Sequence, residues 1–437
     1  MLGVSVQRVG QLIRSGQLEG RKVSGVWLVD EASVEKRIRS TTRAGGRPRR
    51  GFARHETRFV LRNRTHDVVE LVYNSNRGEF TWMGDLLDAQ RAPLGVIVGN
   101  EGPGLPALNS WWRGRGIPRT RIGIDEVLRE DRIDVPEALV SRNLGLSLSD
   151  QYWIWPVGSS LRWEDINFFH NDFETASAAT EPFAPGSPLA AAHPDNTTDG
   201  DLAKTWEIVD GIRTLFKRGR GLNQEPYNEV VATALHRRLL SDGEFVPYEL
   251  AERDGAVVCA CPCFLSDEEE YIPAFYVDGI LPRRADQDAY VHYLSCCKEL
   301  GITDMEHSLW KTIVCDDILS NPDRHWRNFG IVRNVNTLQC RPAPLFDSGE
   351  GLWCHSSLAD LRRGEHSFES KQFHPNPARQ LLLVDTLRWL DTDALDGFVD
   401  EAMGILARND LLEERLDYVR RALEWRIFRI RDIAEWE

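Results

Sequence analysis

The sequence predicts an α+β protein whose strand-rich segments precede a helical C-terminal third, with an acid–amide–acid motif at the junction. Three observations carry this. Two acids and an amide, Asp323, Asn328 and Asp347, lie on a loop–strand–strand frame. Upstream, Trp206–Val209, the turn Asp210-Gly211 and Thr214–Lys217 read as strand, tight turn, strand. Downstream, the run from Pro377 to Trp436 is helical with polar faces and repeated Leu and Arg spacing, most simply a scaffold.

A chain of 437 residues is long enough for two or three domains, and 42% hydrophobic with 27% charged residues is ordinary globular composition. No apolar run reaches the roughly 18 residues a membrane helix needs, and Met1–Gln7 has no signal-peptide pattern. The eight cysteines suggest no disulfide framework, which predicts a reduced cytoplasmic setting. The net charge of −14 hides an asymmetry. Residues 1–54 hold 12 basic and 4 acidic residues, +8, which leaves 41 basic and 63 acidic residues, −22, elsewhere. Such a head suits nucleic acid, whereas the body repels it.

The central stretch is Ser320-Asn321-Pro322-Asp323-Arg324-His325-Trp326-Arg327-Asn328-Phe329-Gly330. It follows a helical run, Leu309–Ile318, and leads into a strand, Ile331–Arg333; a second predicted strand, Pro344–Phe346, delivers Asp347. In phosphoryl transfer one aspartate orients or deprotonates the substrate hydroxyl, while an asparagine five residues on and a second aspartate hold magnesium. Asp323, Asn328 and Asp347 match that spacing and order, and His325 is placed to donate to the transferring phosphoryl group. Arg327 either assists or forms a surface salt bridge. The plainer reading is a polar loop at a helix end, since Asn-Pro-Asp forms turns readily.

This segment, with Leu345-Phe346-Asp347-Ser348-Gly349, resembles the HipA-like kinases. Through Asp323-Arg324-His325-x-x-Asn328 it is also similar to phosphatidylinositol kinases. The resemblance implies a bilobal protein-kinase-like fold, ATP and Mg2+ as cofactors, and phosphorylation of Ser/Thr on a protein substrate, in a toxin–antitoxin or growth-control system with an antitoxin-like partner. Two alternatives stand beside it: a lipid or small-molecule kinase, and a non-catalytic DNA-binding regulator with a kinase-like body. The chain departs from familiar kinases in lacking His-Arg-Asp and in carrying Ser348-Gly349 after the metal aspartate. It also lacks the family's serine-bearing phosphate loop, for which Thr197 and Thr198 are the nearest substitutes.

In chain order, residues 1–42 read as a helix (Val4–Ser15), two short strands around Ser24-Gly25 and a helix from Asp30 to Ile38. This resembles an excisionase-type winged helix-turn-helix lacking its first helix, with Gln7, Arg8, Gln11 and Arg14 toward DNA. Residues 43–54 are a basic linker. Residues 55–180 form a small α+β lobe with strands at Arg58–Asn63, Asp67–Tyr73 and Phe80–Trp82 and a helix ending at Gly114; Trp111 and Trp112 are expected as core or interface aromatics rather than a ligand platform. Residues 176–195 read as a linker.

Residues 181–264 are the expected nucleotide-binding lobe. The loop Thr197–Thr205, with Gly200 and Lys204, precedes the hairpin and is placed to set backbone N–H groups on phosphates. By the resemblance, Lys217 neutralises the nucleotide phosphates. Glu229, opening a helix from Glu229 to Leu240, pairs with it as an exposed contact worth about 0–1 kcal/mol. Further strands are expected at Tyr248–Ala251, Ala256–Cys261 and Tyr271–Phe275. Cys261-Pro262-Cys263-Phe264 falls at the expected hinge, where backbone groups bind adenine; no second Cys/His pair supports zinc at this Cys-x-Cys. Residues 265–437 are the helical catalytic lobe, with helices at Asp286–Leu300 and Met305–Asp317.

Overall fold

The computed structural model describes residues 20–23, 26–29, 55–96, 104–116, 140–141, 143–173, 193–198, 200–364 and 367–436. Gln7, Arg8, Gln11 and Arg14, both helices expected in the head, the basic linker and most of the 176–195 segment lie outside them. The chain is mixed α and β, with two-, three- and four-stranded sheets in which every paired strand is antiparallel. No helix among the described residues is long and apolar enough to cross a membrane.

Strands β1 (Gly20–Val23) and β2 (Val26–Val29) pair antiparallel. Next come β3 (Glu56–Asn63), β4 (His66–Asn74) and β5 (Glu79–Leu86), then α1 (Leu105–Arg113) and β6 (Tyr152–Pro156). The sheet order is β5-β4-β3-β6. Asn109 of α1 clips the helix to β5, donating to the Phe80 C=O and accepting from the Phe80 N–H, both at 2.8 Å. Trp112 lies edge-on to Phe80 at 5.0 Å, a favoured aromatic geometry, and both Trp111 and Trp112 are core residues.

After α2 (Trp163–Ile166), β7 (Lys204–Val209) and β8 (Ile212–Lys217) form the hairpin over Asp210-Gly211, whose residues both take positive φ as such a turn requires. Helix α3 spans Glu225–Leu239, and β9 (Glu249–Arg253) and β10 (Ala256–Pro262) complete the order β7-β8-β10-β9. α3 begins a turn earlier than the sequence suggests. Pro226 sits in its first positions, where a missing N–H costs nothing, so Asn228 and Glu229 lie inside the helix.

Strand β11 (Glu269–Pro273) stops short of Phe275, because α4 (Ala274–Val277) turns back there. Then follow α5 (Ala289–Glu299), capped by Asp288, and α6 (Met305–Leu319). β12 (Gly330–Asn334) and β13 (Cys340–Pro342) close the sheet β11-β12-β13. The strand expected at Pro344–Phe346 is therefore displaced to β13. Leu345 instead makes one parallel bridge to Phe245, accepting from the Val246 N–H at 2.9 Å, and this crossing carries Asp347 to the sheet side. Helices α7 (Leu358–Arg362), α8 (Pro377–Leu381), α9 (Phe398–Leu406) and α10 (Glu413–Glu435) complete the body.

One hydrophobic core joins α3 to the helical body through Val231, Leu235, Val314, Ile318, Leu423 and Ile430. Each such side chain is worth about 1.5–3 kcal/mol buried, so α3, which carries Glu229, and α6, which leads into the Asp323 loop, are anchored together. All eight cysteines are free thiols.

His236 of α3 sits in this core against Phe245, ring centroids 5.6 Å apart. Burial, reinforced by the Arg324 charge, pushes its imidazole down to about 3. The unfolded chain binds that proton below about pH 6.5 and the folded chain does not, so stability falls as pH falls through this window. Between about pH 7.5 and pH 5 this one group removes about 2 kcal/mol. Urea midpoints measured across that range should show a shallower acid dependence in His236→Gln; an equal slope in the variant contradicts the assignment.

Candidate active site

The site is built around one buried ammonium. Lys217 ends β8 with its side chain directed inward and is only 4% exposed. Its Nζ donates to Glu229 Oε1 at 2.9 Å, Tyr248 OH at 3.2 Å and Asp347 Oδ1 at 2.7 Å. Burial pulls the ammonium toward neutrality, but the Asp347 and Glu229 carboxylates outweigh that and hold its pKa well above the lysine norm. Burial likewise opposes charge on Asp347, yet Lys217 and then Lys204 outweigh it and hold this carboxyl far below the usual range. The pair expected to be exposed is thus buried, and Glu229 is no helix-terminal acid. Its second oxygen accepts from the Ser348 N–H at 3.0 Å, so one glutamate fixes both the lysine and the segment beside Asp347.

Asn228, one residue earlier, donates to the carbonyls of Gly349 and Gly351, both at 2.8 Å. Gly349 is closely packed: an added Cβ would lie 3.2 Å from the Glu225 carbonyl oxygen and from Glu229, so these neighbours would have to shift by a few tenths of an ångström. Asp347 itself adopts φ 57°, the left-handed region that aspartate tolerates better than most residues.

The Asp323–Asn328 loop hangs on Arg324. Its guanidinium, fully buried, pairs with Asp316 of α6 through two bonds of 2.8 and 3.0 Å and donates to the Asn328 C=O at 2.9 Å and Ser348 Oγ at 3.0 Å. It also donates to the Phe346 C=O. One side chain therefore ties α6, the Asp323–Asn328 loop and the Asp347 segment together. Asn321 adds a second clasp, donating to Asp316 Oδ1 at 2.8 Å and accepting from the Asp323 N–H at 3.1 Å. Ser320, at φ 50°, turns the chain out of α6.

All the sequence-predicted site residues outside the head line one cavity of about 630 Å³ between the β7-β8-β10-β9 sheet and the helical body: Gly200, Lys204, Lys217, Glu229, Cys261, Cys263, Phe264, Asp323, His325, Asn328 and Asp347. Asn328 donates from Nδ2 to the Asp323 C=O at 3.0 Å, which leaves its Oδ1 as the acceptor. Gly200, at φ 102°, lets the Lys204 ammonium lie over its loop, since a Cβ there would stand 2.3 Å from Nζ. Phe264 stacks on Phe346, 5.5 Å between centroids, as an apolar floor. The Cys263 N–H donates to the Arg213 C=O at 2.7 Å, which removes it as a base contact; the thiols of Cys261 and Cys263 are pushed up by burial to about 12 and about 11. His325 Nε2 lies 3.9 Å from Asp323 Oδ2. Arg327 lies over the Phe275 ring at 5.4 Å and donates to the Gly114 C=O at 3.4 Å.

Three features escape sequence reading. Lys371 Nζ reaches Asp323 Oδ1 at 2.6 Å from a segment between α7 and α8, with no local pattern to announce it. Tyr248 supplies a hydroxyl to Lys217. Arg324 is the residue after the acid, and only the fold reveals how many partners it gathers.

No family model and no curated protein matches this chain. Among solved structures it is similar to a proinflammatory kinase CtkA from Helicobacter pylori, at 16% identity and TM-score 0.38, covering 52% of this chain and 96% of that one. It is also similar to a chain of the Shewanella oneidensis toxin–antitoxin complex of HipA, HipB and operator DNA, at 11% identity and TM-score 0.48, covering 87% of this chain and 100% of that one. At such scores the reading of function rests on this chain's own residues.

Removing one partner of a buried ion cluster strands the others. Lys217→Met should lower unfolding stability by about 3–5 kcal/mol, and Lys217→Met with Glu229→Gln should lose less than the sum of the single changes. Urea denaturation of the three variants checks this; additive losses contradict the coupling.

Proposed function

We propose that the chain is an ATP- and Mg2+-dependent phosphotransferase, acting on Ser/Thr hydroxyls of a protein. The observation that carries this reading is the convergence of Lys217, Glu229, Asp323, Asn328 and Asp347 on one cavity. Lys217 and Lys204 offer positive charge to a nucleotide's phosphates, and the Phe264–Phe346 stack offers an apolar surface for its base. Asp323 faces the same space and accepts the proton of the substrate hydroxyl as its oxygen bonds to the terminal phosphorus and ADP departs. Lys371 and His325 flank Asp323, where they orient it and offset charge on the transferring group.

The donor set fits a hard divalent cation: Asp347, held ionised, and Asn328, whose Nδ2 is engaged so that oxygen is left for the ion. These two residues would hold Mg2+, which when bound neutralises phosphate charge. Every position expected to carry chemistry is occupied by a competent residue, which weighs against a non-catalytic regulator. The preference for a protein substrate, the cytoplasmic setting and the toxin–antitoxin or growth-control context rest on the HipA-like resemblance of the motifs. The +8 charge of residues 1–54 supports DNA contact through the head.

Radiolabelled phosphate transfer from ATP, with magnesium and a cell lysate, tests the reading. The wild type should label a protein band, and Asp323→Ala and Asp347→Ala should not. Lys371→Met should retain folding and slow transfer by about 10²-fold or more, the usual scale for losing a donor that offsets charge in the transition state. Magnesium-dependent ATP binding without transfer to any protein would redirect the reading to a lipid or small-molecule acceptor. Absence of both binding and transfer in folded protein would overturn it.

A further inference from the structure

Beyond Asp347 the chain makes a tight turn whose side chains have no part in the chemistry above. Glu350, Cys354 and His355 bring a carboxylate oxygen, a sulfur and an imidazole nitrogen within 4.8 Å of one another. We propose that these three residues form a binding site for a thiophilic divalent metal ion, Zn2+ in the first instance, on the wall of the cavity.

The chemistry of the donors selects the ion. Thiolate and imidazole favour zinc and its spectroscopic substitute cobalt, whereas magnesium requires oxygen ligands throughout. The ion asked for here is therefore of a different class from the one Asp347 and Asn328 suit. Bonds of about 2.0–2.3 Å in a tetrahedron separate ligand atoms by about 3.3–3.8 Å. Side-chain rotation must part the touching Glu350 and His355 groups and turn Cys354 Sγ from the Glu350 C=O, to which it donates at 3.3 Å, to reach that spacing.

The turn is held from outside, which keeps the donors together. Leu352 and Trp353 both have positive φ, 49° and 54°, and reverse the chain so that Cys354 and His355 return toward Glu350. The Leu352 N–H donates to the Leu319 C=O at the end of α6, at 2.7 Å. Arg415 of α10 donates to the Trp353 and Ser356 carbonyls at 2.6 and 2.8 Å, bracketing the two ligands. The Glu350 carboxylate divides its oxygens: Oε1 accepts from Arg220 Nη2 at 2.6 Å, while Oε2 faces His355. Arg220 would thus remain as the outer partner that orients a ligating carboxylate, an arrangement common around metals.

Glu350 and His355 border the 630 Å³ cavity, and Cys354 and His355 border a second hollow of about 650 Å³ beside α10. His355 is half-exposed, its side chain 55% accessible, so an ion has an entry path. Binding exchanges the Cys354 S–H proton for a metal–sulfur bond and releases that proton, so affinity falls as pH falls.

Cobalt titration of the full-length, chelator-treated protein tests the site without reference to any enzymatic activity. One equivalent of Co2+ should produce a thiolate-to-cobalt charge-transfer band in the near ultraviolet, which Zn2+ abolishes and excess Mg2+ leaves unchanged. Cys354→Ser should lose the band. His355→Ala, at a half-exposed position that folding does not need, should weaken binding by at least the roughly 10- to 100-fold that even outer partners contribute. No band in the wild type, a band that persists in Cys354→Ser, or equal affinity in His355→Ala would overturn the proposal.

Discussion

A lysine ammonium almost fully removed from solvent is tolerated only with charge around it, and in this chain that requirement organises the site. Lys217 is delivered by a hairpin strand, Glu229 by a helix, Tyr248 by the approach to β9 and Asp347 by the segment that crosses beside Phe245. None of these elements can shift far without stranding a charge. The ion cluster is weak evidence for stability as such, since apolar replacements of the whole set often fold as well. Its effect is positional: it fixes one positive and two negative groups in a register suited to phosphate and metal.

Arg324 performs the corresponding service on the other wall. Its guanidinium has a rigid fork of donors, and here they reach a carboxylate on α6, two loop carbonyls and the Ser348 hydroxyl. Lysine at this position would offer a single centre and lose most of the set. The Asp323 loop and the Asp347 segment are therefore held to each other through Arg324 and Ser348, and Ser348 in turn meets Glu229. The two walls of the cavity share one continuous polar network.

Much of this was legible in the sequence where local rules act. The Asp210-Gly211 turn, the helix ending at Gly114 and the helix beginning at Met305 follow turn and helix signals of a few residues. The acid–amide–acid spacing was readable because the chemistry demands it. Failures fall where long-range packing decides. α3 begins at Glu225 because Pro226 starts it, although the local pattern suggests a start at Glu229. Pro344–Phe346 leaves the expected sheet because Leu345 finds a partner at Phe245, roughly a hundred positions earlier. Lys371 meets Asp323 across 48 residues, a pairing no local pattern encodes. The burial of Lys217 was missed for the same reason: a strand-end lysine reads as solvated until a helix and a distant loop close over it.

The account stands on a nucleotide and a magnesium ion meeting at Lys217 and Asp347. The most direct measurement is calorimetric titration of the wild type and Asp347→Asn with a non-hydrolysable ATP analogue, with and without magnesium. The wild type should bind more tightly with magnesium. Asp347→Asn should lose that magnesium dependence while staying folded. Equal affinity with and without the ion in the wild type, or an unchanged magnesium effect in the variant, would contradict the account.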